Sequence, residues 1–447
     1  MSTATTHIDN KPSLRGTKQS HSLAPALRFK EFEGEWQILK LKEVAKIARG
    51  KFTPRPRNNP IYYNGVIPFV QTSDVVNANG KIEVYTQTLN EKGLAVSKLF
   101  PAGTILITIA ANIGHVGVLQ NDMACPDSLI GITPNDETHN YFLNYYLATH
   151  QKKMDYLAPE GAQKNINIDF LTPYKVPSTS LPEQQKIASF LSAVDKKIQQ
   201  LTKKKALLDR YKKGVMQQLF SSTGSGHRSG QLRFKDDTSS SLGAGNGNAY
   251  PDWEEKRLGE IGEFKTSSVD KKIVEGETLV KLVNYMNVYR HEEILPDNID
   301  NLMVVSAKTN QLETSNLKKG DVLFTPSSET PDDIGHSVVI FKDLPNTLYS
   351  YHLMRFRPSI KLDLMYSHFF CNTADVLRQI SRFATGSTRF TISVGNFSAI
   401  KLSIPCFEEQ QKIAAYLSSI DTKIEAVKSQ ITQTRIFKKG LLQQLFV

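Results

Sequence analysis

The sequence predicts a mixed α/β protein with a pseudo-two-fold internal repeat: two globular α/β domains joined by two long antiparallel coiled-coil helices. Three observations predict it. Two 38-residue segments, Glu183–Phe220 and Glu409–Phe446, repeat one another at an offset of 226. Both carry apolar residues at alternating spacings of four and three, the seam of a coiled coil. Each follows a stretch of about the length of one domain, rich in short apolar strand-like runs.

The repeat is read most directly in the helices. EQQKIASFLSAVDKKI opens the first and EQQKIAAYLSSIDTKI the second, with eleven of 16 positions identical. YKKGVMQQLF and FKKGLLQQLF close them, with seven of 10 identical, while the 12 residues between share none. The same order recurs upstream. LRFK occurs at Leu27–Lys30 and Leu232–Lys235; Trp36 and Trp253 open related runs; GTILIT at Gly103 answers GDVLFT at Gly320. Gly161 and Gly386 each precede a short polar stretch and a run ending in proline. One module is therefore used twice. The boundaries expected are a polar tail at 1–22, a first domain at 23–182, a first helix at 183–220, a Ser/Gly/Asn-rich linker at 221–250, a second domain at 251–407 and a second helix at 408–447.

The seam of the first helix is Ile187, Leu191, Val194, Ile198, Leu201, Leu208, Val215 and Leu219, with Lys205 and Lys212 interrupting it. That of the second is Ile413, Leu417, Ile420, Ile424, Val427, Ile431, Leu441 and Leu445. A helix of this length spans ~57 Å and cannot bury such a stripe alone. The two are expected to pair antiparallel, about a pseudo-two-fold axis that places the globular domains at opposite ends. The lysines would favour one register. Ser180 and Glu183 resemble a capping box around Pro182. Gly214 and Gly440 each cost about 1 kcal/mol against alanine, which suggests close approach of another backbone. The identical helix ends exceed what pairing demands and point to a surface for another subunit.

Within the domains, Ile105–Ala110, Val322–Phe324, Ile67–Val70 and Leu279–Val283 read as strands, and Tyr141–Met154 and Leu364–Ile380 as helices. The chain is basic, with a net charge of +11 and a pI near 9.2, which suits an acidic partner such as nucleic acid. Asn, Thr, Ser and Tyr in the loops suit base edges and phosphates. The three cysteines form no CxxC pair, which argues against a disulfide framework and fits a reducing cytoplasm. The sequence contains no apolar run long enough to span a bilayer, and Met1–Ser22 lacks the core of a signal peptide.

Several catalytic signatures are absent. The string Asn58-Asn59-Pro60-Ile61 does not match the Asn/Asp-Pro-Pro-aromatic motif of adenine methyltransferases. Gly243, Gly245 and Gly247 lie among linker serines rather than between a strand and a helix. Asp252 and the Glu254-Glu255-Lys256 run imitate a nuclease motif, yet its carboxylates are adjacent and coincide with the repeat boundary. His115 and His336 each follow Ile-Gly, which reads as a shared turn, and the ten histidines show no metal-ligand spacing. No catalytic residue and no metal ligand are assigned.

A doubled module of variable domain and long helix, with EQQKIA and KKG…QQLF in each helix, resembles the specificity subunit of type I restriction–modification systems. The resemblance covers nearly the whole chain past Ser22. It implies that each variable domain is a target-recognition domain reading one half of a split, asymmetric site on double-stranded DNA. It implies that the helices set the gap and dock two modification subunits, which use S-adenosylmethionine to methylate adenine N6. Restriction subunits using ATP and magnesium would join through that complex; the chain itself would hold no cofactor, act in the cytoplasm and touch no membrane. Half-sites would lie about 10 bp apart.

The DNA-contacting residues expected in the first domain are Lys51, Arg55 and Arg57, Gln71 and Thr72, Asn112, and Gln163, Lys164 and Asn165. In the second they are Ser267, Lys271, Asn284, Tyr285, Arg290, Ser327, Thr388 and Arg389. Each is equally readable as a solvated surface residue. On the residues alone, a self-contained metal-dependent nuclease and a non-specific DNA-binding scaffold remain the other readings.

Overall fold

The computed structural model describes residues 25–159, 164–220, 233–234 and 250–446. The expected tail, most of the expected linker and Gln163 lie outside them. The chain forms two compact units, residues 1–200 with 430–447, and residues 201–429. Each unit holds one globular domain, the first part of the long helix that follows it and the last part of the other long helix. The long helices run Leu181–Phe220 and Phe407–Leu445.

In the first unit, a five-stranded sheet has the order Ala45–Arg49, Leu129–Pro134, Ile105–Thr108, Val116–Leu119, Lys81–Ile82. A second sheet contains Tyr63–Phe69 parallel to Met123–Cys125. Gln37–Lys40 pairs antiparallel with Lys175–Ser178, closing the domain just before the helix. The second unit repeats the plan. Gly262–Thr266, Met354–Pro358, Val322–Phe324 and Ser337–Val339 follow one another in a sheet. Thr278–Val283 lies parallel to Thr347–Tyr349, and Glu254–Arg257 pairs with Lys401–Ile404. Every residue of Ile105–Thr108 and of Val322–Phe324 is buried, so both strands read as continuous apolar runs rather than alternating ones.

The start of each long helix is anchored in its own domain. Arg28 donates from Nε and Nη2 to the two oxygens of Glu183 at 2.8 and 2.9 Å, and Thr179 Oγ1 donates to the same carboxylate. Arg233 does the same to Glu409 at 3.2 and 2.8 Å, and the Trp253 indole adds a bond of 2.9 Å. The next residue repeats too: Gln184 Oε1 accepts from the amide of His139 and Gln410 Oε1 from that of Asp363. Glu183, Gln184, Glu409 and Gln410 are all buried. The expected capping box is therefore corrected: the Glu183 carboxylate is committed to Arg28 and Thr179. The identity of the Glu and the first Gln has a reason inside the chain, since a buried carboxylate needs a bidentate cation and a buried amide needs both its ends satisfied.

The end of each helix is anchored in the other module's domain. In the first unit Phe446 packs on Phe142 and Tyr146, with centroids 5.2 and 5.8 Å apart, beside Leu441 and Leu445. In the second, Phe220 packs on Tyr366 and Trp253, near Leu219 and Val215. The helix segments inside each unit run antiparallel: Lys438 pairs with Asp195 at 2.6 Å in the first, and Lys212 with Asp421 at 2.6 Å in the second. Lys205 instead pairs with Asp209 on its own helix. Of the sixteen apolar seam positions, fourteen are buried and Ile198 and Leu208 are half-buried.

Three local expectations are corrected. A Cβ at Gly214 or Gly440 would meet nothing within 4 Å, so no backbone approaches either glycine. The stretch expected as one helix at Tyr141–Met154 is two, Asn140–Thr149 and Gln151–Leu157, broken at His150, whose Nδ1 lies 3.1 Å from the Tyr146 carbonyl oxygen. Leu364–Ile380 likewise divides into Leu364–Phe370 and Ala374–Phe383, because Thr373 caps the second helix by accepting from the Val376 amide.

Candidate nucleic-acid interface

In the first unit, the loop joining Met123–Cys125 to Leu129–Pro134 gathers most of the predicted residues. Lys51 bonds it through its amide to the Cys125 carbonyl at 3.0 Å and leaves its side chain exposed. Arg57 pairs with Asp127 at 2.8 Å, and Arg49 Nε donates to the Asp127 carbonyl at 2.7 Å. Thr72 Oγ1 donates to Ser128 Oγ at 3.3 Å. The Ser128 carbonyl accepts from Ile109, whose own carbonyl accepts from Ile166. A bridge between Ala110 and Asn165 then places Asn165 beside the turn carrying exposed Asn112. The sheet register therefore brings Lys51, Arg57, Thr72, Asn112 and Asn165 to one loop cluster.

Others are less available. Arg55 Nη1 turns back onto the carbonyls of Phe52, Thr53 and Pro54, which ties exposed Arg55 to its own loop. Gln71 donates its side-chain amide to Gln87 at 3.1 Å at the start of the helix Thr72–Asn77. Lys164 lies 3.6 Å from Asp155.

In the second unit, the short helix Tyr285–Tyr289 organises the cluster. Asn284 caps it, its Oδ1 accepting from the Tyr285 amide at 2.7 Å. Tyr285 OH donates to the Ser327 carbonyl at 3.0 Å, and Arg389 Nη2 donates to Ser327 Oγ at 3.0 Å. Ser327–Ser328 pairs with Phe390–Thr391, which fixes the Arg389 loop. Gly386 sits at φ +144°, and a Cβ there would lie 2.1 Å from the Arg389 carbonyl oxygen, so only glycine fits. Thr388 is exposed on that loop. Arg290, at the helix end, lies 3.8 Å from Glu292. Ser267 is spent on a bond to Ser315 and on the Val269 amide.

Two residues escaped the sequence reading. Tyr351 and His352 occupy the loop equivalent to Pro126–Ser128, between the matching strands. Their rings are 3.9 Å apart and Tyr351 is 46% exposed. Burial lowers the His352 pKa, and the nearby cations Lys271 and Arg389 lower it further. Lys271 and Arg389 thus act electrostatically on half-buried His352, beside the exposed Tyr351 ring, a combination suited to phosphate contact beside base stacking. Only the strand register equates these loops; their sequences share nothing. Burial, then Asp333, raises the Tyr285 hydroxyl above its ordinary value. Both hydroxyls, Tyr285 and Tyr289, remain protonated donors at neutral pH.

His115 and His336 do share a turn. Gly114 and Gly335 sit at φ +81° and +85°, and their amides bond to Thr108 and Thr325. The cysteines are free, with Cys125 and Cys371 buried, and burial pushes the Cys125 thiol to about 12. Among the described residues no helix is long and apolar enough to cross a membrane.

The family described as the type I restriction modification DNA specificity domain matches twice, over residues 33–210 and 250–434. The chain belongs to this family. Its role is recognition rather than catalysis. The family match falls on both modules. Relatives in Methanocaldococcus jannaschii are similar over nearly their whole length. The type I restriction enzyme MjaIX specificity subunit is 22% identical, with 92% of each chain covered, and the putative MjaX specificity subunit 25% identical, with 93% of each covered. The fold is that of two solved chains. One comes from a study of complex assembly and conformational transition of the type I restriction–modification system, with TM-score 0.59, 15% identity and coverage of 92% of this chain and 97% of that one. The other is the type I S subunit from M. genitalium, with TM-score 0.52, 16% identity and coverage of 95% and 99%.

Proposed function

We propose that this specificity subunit reads a split DNA site, one half with each globular domain, and that the two halves differ in sequence. The observation that carries this is one strand framework used twice with unlike loop clusters: Asp127-Ser128 with Arg57, Thr72 and Asn112 in one, Tyr351-His352 with Lys271, Tyr285 and Arg389 in the other. Matching strand orders present the loops alike, while different side chains would meet different base edges. Basic residues around both clusters would supply the salt-sensitive grip on phosphates.

The long helices would fix the gap and dock two modification subunits in the cytoplasm. The exposed positions of the helix ends support this. Lys213, Gly214, Gln217 and Gln218 on one helix equal Lys439, half-buried Gly440, Gln443 and Gln444 on the other, and Leu207, Tyr211, Ile436 and Phe437 leave over half of their surface open. Among the described residues no side-chain bond accounts for those glutamines and no contact for those glycines, whereas a partner repeated twice would. In this proposal the modification subunits use S-adenosylmethionine to methylate adenine N6, and restriction subunits bring ATP and magnesium. The test maps adenine N6-methylation genome-wide in cells expressing this chain with its modification subunit, against cells lacking the chain. The expected result is a chain-dependent motif of two unlike halves with a fixed gap. A palindromic or ungapped motif, or none with an active bound partner, would overturn the proposal.

A further inference from the structure

A short helix is built into both loop clusters and turned outward in the same way. Thr72–Asn77 follows the strand Tyr63–Phe69, and Tyr285–Tyr289 follows Thr278–Val283. Each of those strands lies parallel to the strand that leads into the cluster loop, Met123–Cys125 in one domain and Thr347–Tyr349 in the other. Gln71 and Asn284 are the residues that start the two helices. The next residue ties each helix to its cluster: Thr72 Oγ1 donates to Ser128 Oγ at 3.3 Å, and Tyr285 OH donates to the Ser327 carbonyl at 3.0 Å. The two helices therefore align residue by residue, with Ser73 matching Met286 and Asn77 matching Arg290. Positions four apart share a helix face. Within 72–77 only Ser73 and Asn77 are exposed, and within 285–290 only Met286 and Arg290. One domain presents a hydroxyl and an amide on this face, the other a thioether and a guanidinium.

We propose that this outward helix face is a specificity-determining element, and that Met286 reads the 5-methyl group of a thymine in the half-site of the second domain. The inference rests on the DNA-reading proposal above and names one of its contacts. A single exposed methionine is ordinary on a protein surface; this one stands on a rigid mount. Val288 is fully buried on the inner side of the helix, and Tyr289 OH donates to Asp333 Oδ2 at 3.1 Å. The Tyr285 and Tyr289 rings stack at 5.8 Å, and the Asn284 amide donates to Asn287 Oδ1 at 2.9 Å. Met286 projects from this mount 43% exposed, and Arg290 shares its face at 65% side-chain exposure. Arg389 reaches the same cluster through Ser327 Oγ. Cations beside an apolar tip suit a groove walled by phosphates. Methionine has no hydrogen-bond donor and only a weak acceptor, so it has little to offer the polar edges of adenine, guanine or cytosine. Thymine is the base whose major-groove edge carries an apolar group, and the unbranched, polarizable thioether adapts to it. The contact belongs to the outward side chains, not to the helix terminus. Ser73 and Asn77, with hydrogen-bonding groups in the matching positions, would favour a different base in the other half-site.

The experiment measures binding of the chain, together with its modification subunit, to a duplex carrying the mapped methylation motif. Each thymine of the motif, on either strand, is replaced in turn by deoxyuridine, which removes the 5-methyl group and keeps the pairing. At one thymine the wild type should lose about fourfold in affinity, the worth of one buried methyl group. Met286→Ala should bind the thymine duplex about fourfold more weakly than wild type and should not distinguish thymine from uracil at that position. Met286→Leu should keep the discrimination, and Ile360→Ala, at an exposed apolar residue outside the cluster, should leave it intact. Circular dichroism of each variant establishes that it is folded. If Met286→Ala and wild type discriminate alike at every thymine, whether or not overall affinity falls, the proposal is overturned. Failure of the DNA-reading proposal is a separate and earlier result, the absence of a motif with two unlike halves.

Discussion

Glu183 and Glu409 show how much one side chain settles in this chain. Burial raises the Glu183 carboxyl, but bonds from Arg28 and Thr179 outweigh it and hold the pKa below the ordinary carboxylate value. The stabilisation is thus present above the unfolded value of about 4.3 and is lost as pH falls through the lower folded value. Acid unfolding of the first unit should shift to lower stability across that window in wild type, and Glu183→Gln should flatten the dependence in urea titrations at several pH values. Arg28→Ala leaves a buried carboxylate unpaired and should cost roughly 3–5 kcal/mol; a loss near zero contradicts the clamp. At the recognition cluster, Arg389→Ala should weaken DNA binding severalfold and reduce the salt slope by about one. Unchanged affinity at physiological salt would remove Arg389 from the interface. The repeated glycine at Gly161 and Gly386 flagged the Arg389 loop in the sequence. Composition alone does not say where a guanidinium turns, and Arg55 Nη1 bonds its own loop. Tyr351 and His352 were missed because nothing but strand register relates their loop to Pro126–Ser128.

Among the elements, the long helices were the most legible, since a 3.5-residue period over five heptads has no other economical reading. Their ends were not. Sequence identity at EQQ suggested an external surface, and the structure assigns Glu and Gln to the helix's own domain. Sequence identity at the glycines suggested backbone contact inside the molecule, and both positions are open. Gly214→Ala and Gly440→Ala should each stabilise the chain by about 1 kcal/mol in thermal melts, while weakening the complex with the modification subunit if docking uses these faces. Destabilisation of the chain alone would mean that a contact was overlooked. The Lys212–Asp421 pair is only partly buried, at 23% and 34% side-chain exposure. A double-mutant cycle should give about 0.5–1 kcal/mol; zero coupling would remove it as a register device. The two shorter helices broke where a His150 ring and a Thr373 hydroxyl compete for backbone groups, local chemistry that apolar spacing does not register.

The whole molecule is one framework written twice. Its doubling, its helices and its family were legible from 26 aligned helix positions and a few motifs, because packing against a repeated neighbour constrains them. The loop clusters proposed to read DNA were legible only in part, since loops proposed to meet different targets have no reason to resemble each other. The central claim is that the two domains read independently. Replacing residues 253–405 with the matching segment of a relative of different specificity, and mapping adenine N6-methylation with the same modification subunit, tests it directly. One half of the motif should change while the other half and the gap persist. A change in both halves, or in the gap, would contradict the account.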